Sequence, residues 1–231
     1  MTEANTDVPP VARLGRQPST SHAQLSHVAL QLFLEHGFDE TTVDDIATAA
    51  GIGRRTFFRY FPSKNDLPWG DFEQLLDGLR EFLAALPPSM PLIEALREGV
   101  LEFNRLPDVE IPYHRRRMEL LLHVPTLLAH STLRYAAWRG VVADFAGERL
   151  GVPPESLEPQ TVAWVTLATC LAAYEQWLRQ DDASLLVLLD EAFHTLEGMF
   201  GPAGASEGTF AGAERDLGTS RATSAPRSPE S

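Results

Sequence analysis

The segment from Thr42 to Phe61 constrains the fold most strongly, because it predicts two short helices joined by a tight turn. Thr42 can cap the first helix, and Asp45 three residues later completes a capping-box-like pattern. The sequence Gly-Ile-Gly at residues 51–53 then supplies the small residues that a sharp turn requires. Two short helices separated by such a turn are typical of a helix-turn-helix motif.

The second of these helices, predicted from Arg54 to Phe61, has the pattern of a DNA-reading helix. Phe57 and Phe61 lie four residues apart and would fix one face against the rest of the domain. Arg54 and Arg55 begin the helix, and arginine side chains bind both guanine edges and phosphates. Pro62 ends it, because proline cannot continue a helix. The segment therefore predicts contact with the major groove of DNA.

Helical periodicity predicts an all-α chain. A helix from Ser21 to His36 precedes the motif, which gives a three-helix head over residues 19–65 and a body over residues 66–200. Six helices are predicted for the body, and the first of them begins at the boundary between head and body. Their ranges are 64–85, 91–105, 109–123, 125–150, 159–180 and 184–199. Residues 1–18 and 201–231 lack periodicity and predict a flexible arm and a disordered tail.

The charge distribution favours a local DNA contact over bulk nucleic-acid binding. The whole chain has a formal net charge of −13, which argues against a protein that coats nucleic acid. Residues 13–64 are near neutral, and their arginines cluster on the second helix of the motif. A clustered cationic face on an acidic body suits contact with a few phosphates.

Several other functions are disfavoured by the residues present. Cys170 is the only cysteine, so no disulfide forms within the chain and a reducing cytoplasm is expected. The longest apolar stretch, residues 161–174, is too short to cross a bilayer. His123 and His130 lack partners at metal-ligand spacing, so no metal or other cofactor is expected. An enzyme acting on acyl thioesters is the rival class, but no convincing nucleophile–base pair is found.

The head resembles the TetR family of transcriptional repressors. The resemblance rests on residues 37–47 (GFDETTVDDIA), 50–52 (AGI) and 56–64 (TFFRYFPSK). It implies an all-helical homodimer with a variable ligand-binding body and a pseudo-palindromic DNA operator. By position, it implies phosphate contacts from Thr42, Tyr60 and Lys64, and base or backbone contacts from Arg54, Arg55 and Thr56. An activator and a repressor would share these features.

One position departs from the family pattern. The family usually has tyrosine where this chain has Phe58, and that hydroxyl commonly contacts phosphate. Phe58 cannot donate a hydrogen bond. Tyr60 or Arg59 would then replace the contact, or Phe58 would pack on sugar and methyl groups.

Three further features of the sequence narrow the resemblance to regulators of mycofactocin redox-cofactor systems within this family. They are the continuation of the motif to Asp71 and the run Arg115-Arg116-Arg117-Met118, with the helix that contains Trp138. This likeness implies control of a mycofactocin cluster and a long-chain acyl-CoA effector. The alternative is a regulator of an efflux gene that responds to a hydrophobic drug. A cavity floored by arginine would favour the thioester, and one lined by carboxylates would favour a cationic drug.

Eight residues are candidates for the effector site. For each aromatic residue taken alone, an ordinary place in the hydrophobic core is an equally good interpretation. Arg117, near Met118 and Leu121, is the basic residue of its run that most plausibly enters a pocket. The candidate residues are Trp69, Phe72, Phe103, Tyr113, Arg117, Leu121, Trp138 and Trp164.

The last two helices are candidates for a dimer interface, because both are rich in small and apolar residues. The family likeness implies a four-helix interface made from two such pairs, and the alternative is burial inside one chain. The candidate residues are Leu167, Cys170, Leu171, Tyr174, Leu186, Leu189, Phe193 and Leu196. Effector binding is expected to reach the head through the helix that begins at Lys64, which Pro68 and Gly70 would allow to bend.

Overall fold

The computed structural model describes residues 21–200, and the arm and tail expected at residues 1–18 and 201–231 lie outside the described residues. Residues 21–200 are all-helical and contain no strand, as predicted. The α-helices are α1 (His22–His36), α2 (Val43–Ala49), α3 (Arg54–Tyr60), α4 (Phe72–Ala85), α5 (Leu92–Phe103), α6 (Ile111–His123), α7 (Pro125–Leu150), α8 (Leu157–Arg179) and α9 (Leu185–Phe200). Two short 3-10 helices, Lys64–Trp69 and Asp108–Glu110, join them.

The head is formed by α1 to α3, and its helix ends follow the predicted signals. Ser21 and Gln24 form a complete capping box at the start of α1. Thr42 and Asp45 do the same at the start of α2. Gly37 ends α1 with a φ of 87°, a conformation that glycine adopts without steric cost.

Apolar residues from all three helices hold the head together. Leu25 and Phe33 of α1 pack with Ile46 of α2 and Phe57 of α3, and each is at most 2% exposed. Phe57 is therefore the anchor that orients α3, and its truncation would cost about 3–5 kcal/mol of stability.

The predicted single helix over residues 64–85 is wrong, because the chain turns at Gly70. The 3-10 helix ends at Trp69, Gly70 has φ 59° and ψ −139°, and Asp71 caps α4. A continuous α-helix is opposed by Pro68, which lacks an N–H and would crowd the carbonyl one turn earlier. The Gly70 conformation is one that side chains with a Cβ rarely adopt.

The body packs five of its helices around one cavity. The long helices α7 and α8 lie against each other, α9 covers α8, and α5 contacts α4 and α9. α6 packs on α7 and α8, and it also contacts α1 of the head. Among residues 21–200, no helix combines the length and the apolar character that crossing a membrane requires.

Candidate DNA interface and effector cavity

α3 exposes a basic face and buries its aromatic anchors, as the sequence predicted. Phe57 is fully buried, and Phe61, which follows the helix, is 2% exposed. Arg54, Arg55 and Arg59 are all exposed. Three guanidinium groups are therefore available on the face that a recognition helix presents to DNA.

Arg54 lies within a small exposed cluster. Its Nη1 donates to Asp44 Oδ1 at 2.8 Å, and its guanidinium lies 5.3 Å from the ring centroid of Phe58. Both charged side chains are more than half exposed, so their pair contributes at most about 1 kcal/mol and opens readily for a DNA group. Phe58 is 44% exposed and offers an apolar surface for sugar or thymine methyl groups.

The other residues predicted to contact DNA differ in how exposed their side chains are. The Thr42 hydroxyl donates to Asp45 Oδ2 at 2.6 Å while remaining exposed. Tyr60 is half-buried, with the Arg59 guanidinium 5.4 Å from its ring centroid, and Thr56 is half-buried. Contacts of these three side chains with DNA stay predictions.

The Lys64 side chain binds within the head, while the predicted phosphate contact at the start of the 3-10 helix Lys64–Trp69 stays a prediction. Its ammonium donates to the carbonyls of Phe38, Asp39 and Thr41 at 2.8, 3.2 and 3.0 Å, and lies over the Phe38 ring. An ammonium group has three donors, and these carbonyls use all three. Lys64 therefore holds the loop between α1 and α2 in place.

A partly enclosed cavity lies between the 3-10 helix Lys64–Trp69 and helices α4 to α8. Its empty space is about 660 Å³, including the part open to solvent. Six of the eight residues expected at the effector site line it, namely Trp69, Phe72, Phe103, Arg117, Leu121 and Trp138. The effector function of these residues stays a prediction.

Two expected effector residues lie elsewhere. Tyr113 stacks on His27 of α1, with ring centroids 4.0 Å apart, and is absent from the cavity wall. Trp164 is 56% exposed on α8, and the Arg139 guanidinium lies 3.5 Å from its ring centroid. Both lie beside the helix face that lines the cavity, where Tyr113 packs on α1 and Trp164 packs on Arg139 of α7.

Arg117 places a buried cation in the cavity wall. Among residues 21–200 its guanidinium forms no hydrogen bond or ion pair, and its buried Nε is unpaired. Burial lowers the pKa of Arg117, although arginine stays charged at neutral pH. A buried cation without a partner is unfavourable and favours an anionic or strongly hydrogen-bonding ligand.

His114, one turn before Arg117 on α6, also lines the cavity. Both of its ring nitrogens are buried without a hydrogen-bond partner. Burial, followed by the charge of Arg117, lowers the pKa of His114 to about 3. The imidazole is therefore neutral and offers one donor and one acceptor.

Neighbouring polar groups in the wall are already satisfied. The Tyr174 hydroxyl donates to Asn104 Oδ1, and Asn104 Nδ2 donates to the Val100 carbonyl at 2.9 Å. Burial raises the pKa of Tyr174, which keeps it protonated. These groups shape the wall without demanding a ligand partner.

The predicted dimer contacts need correction for most of their residues. Leu189 and Phe193 are fully buried in the protomer and cannot reach another chain. Four more residues line the cavity instead, namely Leu167, Cys170, Leu171 and Tyr174. Leu186 and Leu196 are half-buried, so their place in an interface stays a prediction.

Four apolar side chains of α8 and α9 are exposed to solvent. Trp164 and Val165 of α8 are 56% and 39% exposed, and Val187 and Met199 of α9 are 54% and 67% exposed. Exposed apolar side chains on paired helices are common where a protein binds a partner. These four residues therefore replace the inward-facing ones as candidates for contact with a second chain.

Asp66 ties the 3-10 helix Lys64–Trp69 to the body. Its carboxylate accepts hydrogen bonds from His130 Nε2 at 3.0 Å and Arg134 Nη2 at 2.7 Å, both from α7, and from Ser63. Burial alone would raise the pKa of Asp66, but hydrogen bonds from Arg134, Ser63 and His130 outweigh it and lower the pKa below 3.8. The His130 imidazole therefore helps to hold the 3-10 helix Lys64–Trp69 against α7.

Two further contacts join the head to the cavity wall. The Ser26 hydroxyl of α1 donates to the carbonyl of Leu67 at 2.8 Å. His27 of α1 hydrogen-bonds Glu110 at 3.0 Å and stacks on Tyr113 of α6. The 3-10 helix and α6, both of which line the cavity, therefore also contact α1.

Replacing Asp66 by asparagine is expected to lower the free energy of unfolding at neutral pH by about 2 kcal/mol, because charge-assisted hydrogen bonds are removed. Because folding lowers the pKa of Asp66, its carboxylate stabilises the protein fully at pH values above its pKa in the unfolded chain. This stabilisation is lost as the pH falls through the pKa of Asp66 in the folded protein. The deficit of the variant should therefore shrink in acid. Urea unfolding across a pH series measures it.

The control for Asp66 is Asp77→Asn, which removes an exposed carboxylate that pairs with Arg80 on α4. It should change the free energy of unfolding by less than about 1 kcal/mol. Equal stability of Asp66→Asn and the unmodified protein at neutral pH would contradict the proposed clamp.

Sequence reasoning missed several residues of the cavity wall, which is assembled from helices that lie far apart in the chain. His114 shares a helical face with Arg117, and this spacing is a signal that could have placed both in the cavity. Tyr135 and Asn104 carried no comparable local signal. They join the wall only through the packing of α5, α7 and α8.

Comparison with known proteins matches both parts of the chain. Residues 25–67 match the family model of bacterial regulatory proteins of the tetR family, and residues 90–201 match the MftR C-terminal domain. A candidate mycofactocin biosynthesis transcriptional regulator, MftR of Mycobacterium tuberculosis, is 46% identical over 186 residues, which cover 80% of this chain and 94% of that protein.

Solved structures show the same fold at low identity. The fatty acid degradation regulator FadR from Bacillus halodurans has a TM-score of 0.57 and 17% identity, covering 77% of this chain and 98% of its own. FadR from Bacillus subtilis, solved in complex with stearoyl-CoA, has a TM-score of 0.54 and 16% identity, covering 76% and 96%. The matched families and relatives are transcriptional regulators, which confirms the prediction of a regulator over an enzyme.

Proposed function

Because the chain belongs to the TetR family of bacterial transcriptional regulators, we propose that it represses transcription as a DNA-bound homodimer and leaves the operator when a long-chain acyl-CoA enters the cavity. The observation that carries this proposal is the Arg117 cation, which has no hydrogen-bond partner among residues 21–200 and lies in a cavity lined mainly by apolar and aromatic side chains. An apolar chain with an oxygen-bearing head is complementary to both features.

The composition of the cavity wall favours an acyl thioester over a cationic drug. Its lining residues include Arg117 and His114 and contain no aspartate or glutamate. A cation would be repelled by Arg117, whereas a thioester carbonyl can accept a charge-assisted hydrogen bond from it. The acyl chain would fill the aromatic part of the cavity, and the bulky nucleotide would stay at its open side.

Two likenesses support the effector class and the target. The relative from Mycobacterium tuberculosis is described as a regulator of mycofactocin biosynthesis, so we assign the operator to mycofactocin genes. The fold is shared with a FadR that was solved with stearoyl-CoA. The cavity of this chain supplies the independent argument, since it offers a cation beside apolar and aromatic side chains.

Release would follow from the contacts between cavity and head. Pro68 and Trp69 line the cavity, and the same 3-10 helix is bound to α7 through Asp66 and to α1 through Leu67. A ligand that displaces Trp69 therefore strains contacts that orient the head. The ligand shifts the equilibrium by its differential affinity for the two head positions.

Dimerisation would use α8 and α9, whose exposed apolar side chains include Trp164, Val165, Val187 and Met199. Two protomers joined there form a four-helix interface with two-fold symmetry. The two α3 helices would then enter successive major grooves, about 34–36 Å apart.

Electrophoretic mobility shift on the promoter fragments that flank the gene tests the function. The protein should shift a pseudo-palindromic fragment, and stearoyl-CoA should release it, whereas free coenzyme A should not. A separate titration establishes the concentration at which stearoyl-CoA saturates the protein. A protein–DNA complex that persists at this concentration would overturn the effector assignment.

The variant Val165→Glu tests the dimer, because it places a charge on the exposed surface of α8. Sedimentation should show a monomer, and operator affinity should fall by more than about tenfold, because each protomer then binds one half-site alone. A monomer that binds the full operator as tightly as the unmodified protein would refute the dimer.

A further inference from the structure

Unpaired polar atoms are concentrated in the effector cavity. Among residues 21–200, buried side-chain nitrogen or oxygen atoms without a hydrogen-bond partner occur in five residues. Four of them line the cavity, namely Trp69, His114, Arg117 and Tyr135, and the fifth is Arg139. Since each unpaired buried group is costly, their concentration in one cavity indicates what the ligand must supply.

These groups offer more donors than a plain acyl thioester can accept. Trp69 Nε1 and Arg117 Nε are donors only, and neutral His114 has one N–H. Burial raises the pKa of Tyr135 to about 12 against a smaller lowering by the nearby Ser131 side chain, so the Tyr135 hydroxyl stays protonated at neutral pH and can donate. A thioester carbonyl oxygen has two lone pairs, and a saturated acyl chain accepts no hydrogen bond. With the coenzyme A part at the open side of the cavity, the saturated acyl thioester would leave two of these four donor groups unpaired.

The four donors form two pairs on different elements. His114 and Arg117 lie on α6, where the cation favours the oxygen of the thioester head. Trp69 ends the 3-10 helix and Tyr135 lies on α7, with their rings in edge contact at 5.5 Å. Phe72 packs on Trp69 at 4.9 Å, so this second pair lies among aromatic side chains.

We infer that Trp69 and Tyr135 recognise a second oxygen atom, a hydroxyl or keto group on the acyl chain of the effector. Such an oxygen accepts from both the indole N–H and the phenol, which a saturated chain leaves unpaired. The preferred effector class is therefore an oxygenated long-chain acyl-CoA. The inference rests on the proposed acyl-CoA function and adds the chemistry of the chain.

The position of Trp69 gives this recognition a consequence for DNA binding. Trp69 ends the 3-10 helix that Asp66 and Leu67 connect to α7 and α1. A hydrogen bond from Trp69 to the chain oxygen therefore pulls on the connection between cavity and head. Oxygenated effectors should release the operator at lower concentration than saturated ones.

Calorimetric titration of the full-length protein tests the inference. The probes are stearoyl-CoA and hydroxystearoyl-CoA isomers with the hydroxyl near the thioester, at mid-chain or at the terminal carbon. We expect one isomer to bind roughly threefold to tenfold more tightly than stearoyl-CoA, as one or two extra hydrogen bonds provide. Tyr135→Phe and Trp69→Phe should each reduce that ratio toward one.

The matched control is Phe72→Leu, which changes the same part of the cavity without removing a polar atom. It should weaken all the thioesters by a similar factor and keep the ratio. Equal affinity of the unmodified protein for every isomer would overturn the inference, and so would an unchanged ratio in both aromatic variants. Absence of binding by every thioester would instead contradict the proposed function, and the inference with it.

Discussion

Replacing Arg54 and Arg55 together by alanine is expected to reduce operator affinity by at least about thirtyfold, because each bidentate arginine contact contributes about 1–3 kcal/mol. Both side chains are exposed at the start of α3. The anchor Phe57 is fully buried and unaffected, so α3 itself should keep its orientation. Fluorescence anisotropy with operator and scrambled duplexes measures the reduction in affinity.

The two duplexes separate base reading from phosphate binding. If Arg54 and Arg55 read bases, affinity for the operator falls more than affinity for the scrambled duplex. If they bind phosphates, both affinities fall, and the slope of affinity against salt becomes shallower by about one for each phosphate that is no longer bound. Either outcome supports the interface on α3.

A control with equal loss of charge is Arg80→Ala combined with Arg179→Ala. Both residues are exposed, on α4 and α8, and pair with Asp77 and Glu175 on their own helices. This variant should bind the operator nearly as tightly as the unmodified protein. Unchanged operator binding by the Arg54 and Arg55 variant would refute the assignment of the head.

Replacing Arg117 by methionine is expected to stabilise the protein and to make repression insensitive to effector. In the absence of ligand the guanidinium has no hydrogen bond within the described part of the chain and its Nε is buried, so an apolar side chain of similar volume should raise the free energy of unfolding by about 1–2 kcal/mol. The melting temperature should rise by about 2–8 °C. Few substitutions in a binding cavity are expected to act in this direction.

The same substitution removes the charge-assisted hydrogen bond to the effector. Affinity for stearoyl-CoA should fall roughly tenfold to hundredfold, as loss of about 1.5–3 kcal/mol implies. The variant should still bind the operator but should require correspondingly more thioester for release. Differential scanning fluorimetry and mobility shift measure the two effects on one preparation.

Arg115→Met is the matched control, because it changes a neighbouring arginine of the same helix. The Arg115 guanidinium donates to the Trp177 carbonyl at 2.6 Å and lies 4.3 Å from the Trp177 ring centroid. Its replacement should lower stability and leave effector affinity unchanged. Destabilisation by Arg117→Met, or full sensitivity of that variant to stearoyl-CoA, would contradict the role given to Arg117.

Local sequence signals predicted the head almost completely. Capping residues such as Thr42 and Asp45 act within one turn, and the i, i+4 pair Phe57 and Phe61 needs only helical geometry to lie inward. The TetR-like motif added the expectation of DNA binding. The exception is Lys64, whose three carbonyl partners lie 23 to 26 residues earlier in the chain.

The body was predicted less well, for a reason visible in α8. This helix has apolar residues on opposite faces, such as Leu167 toward the cavity and Val165, which is 39% exposed. Hydrophobic periodicity requires one apolar face to be distinguished from one polar face. With both faces apolar, the pattern indicates that α8 is covered on two sides without showing which side meets another chain.

The sequence by itself therefore determined the helix-turn-helix from Thr42 to Phe61 and its basic α3 face, since these features depend on contacts within a few residues. Only the tertiary structure decided which residues surround the cavity, because their positions depend on the packing of distant helices. That packing placed Arg117 and His114 in the wall and turned Tyr113 toward α1. It also placed Lys64 on the loop before α2, where its charge holds the head together.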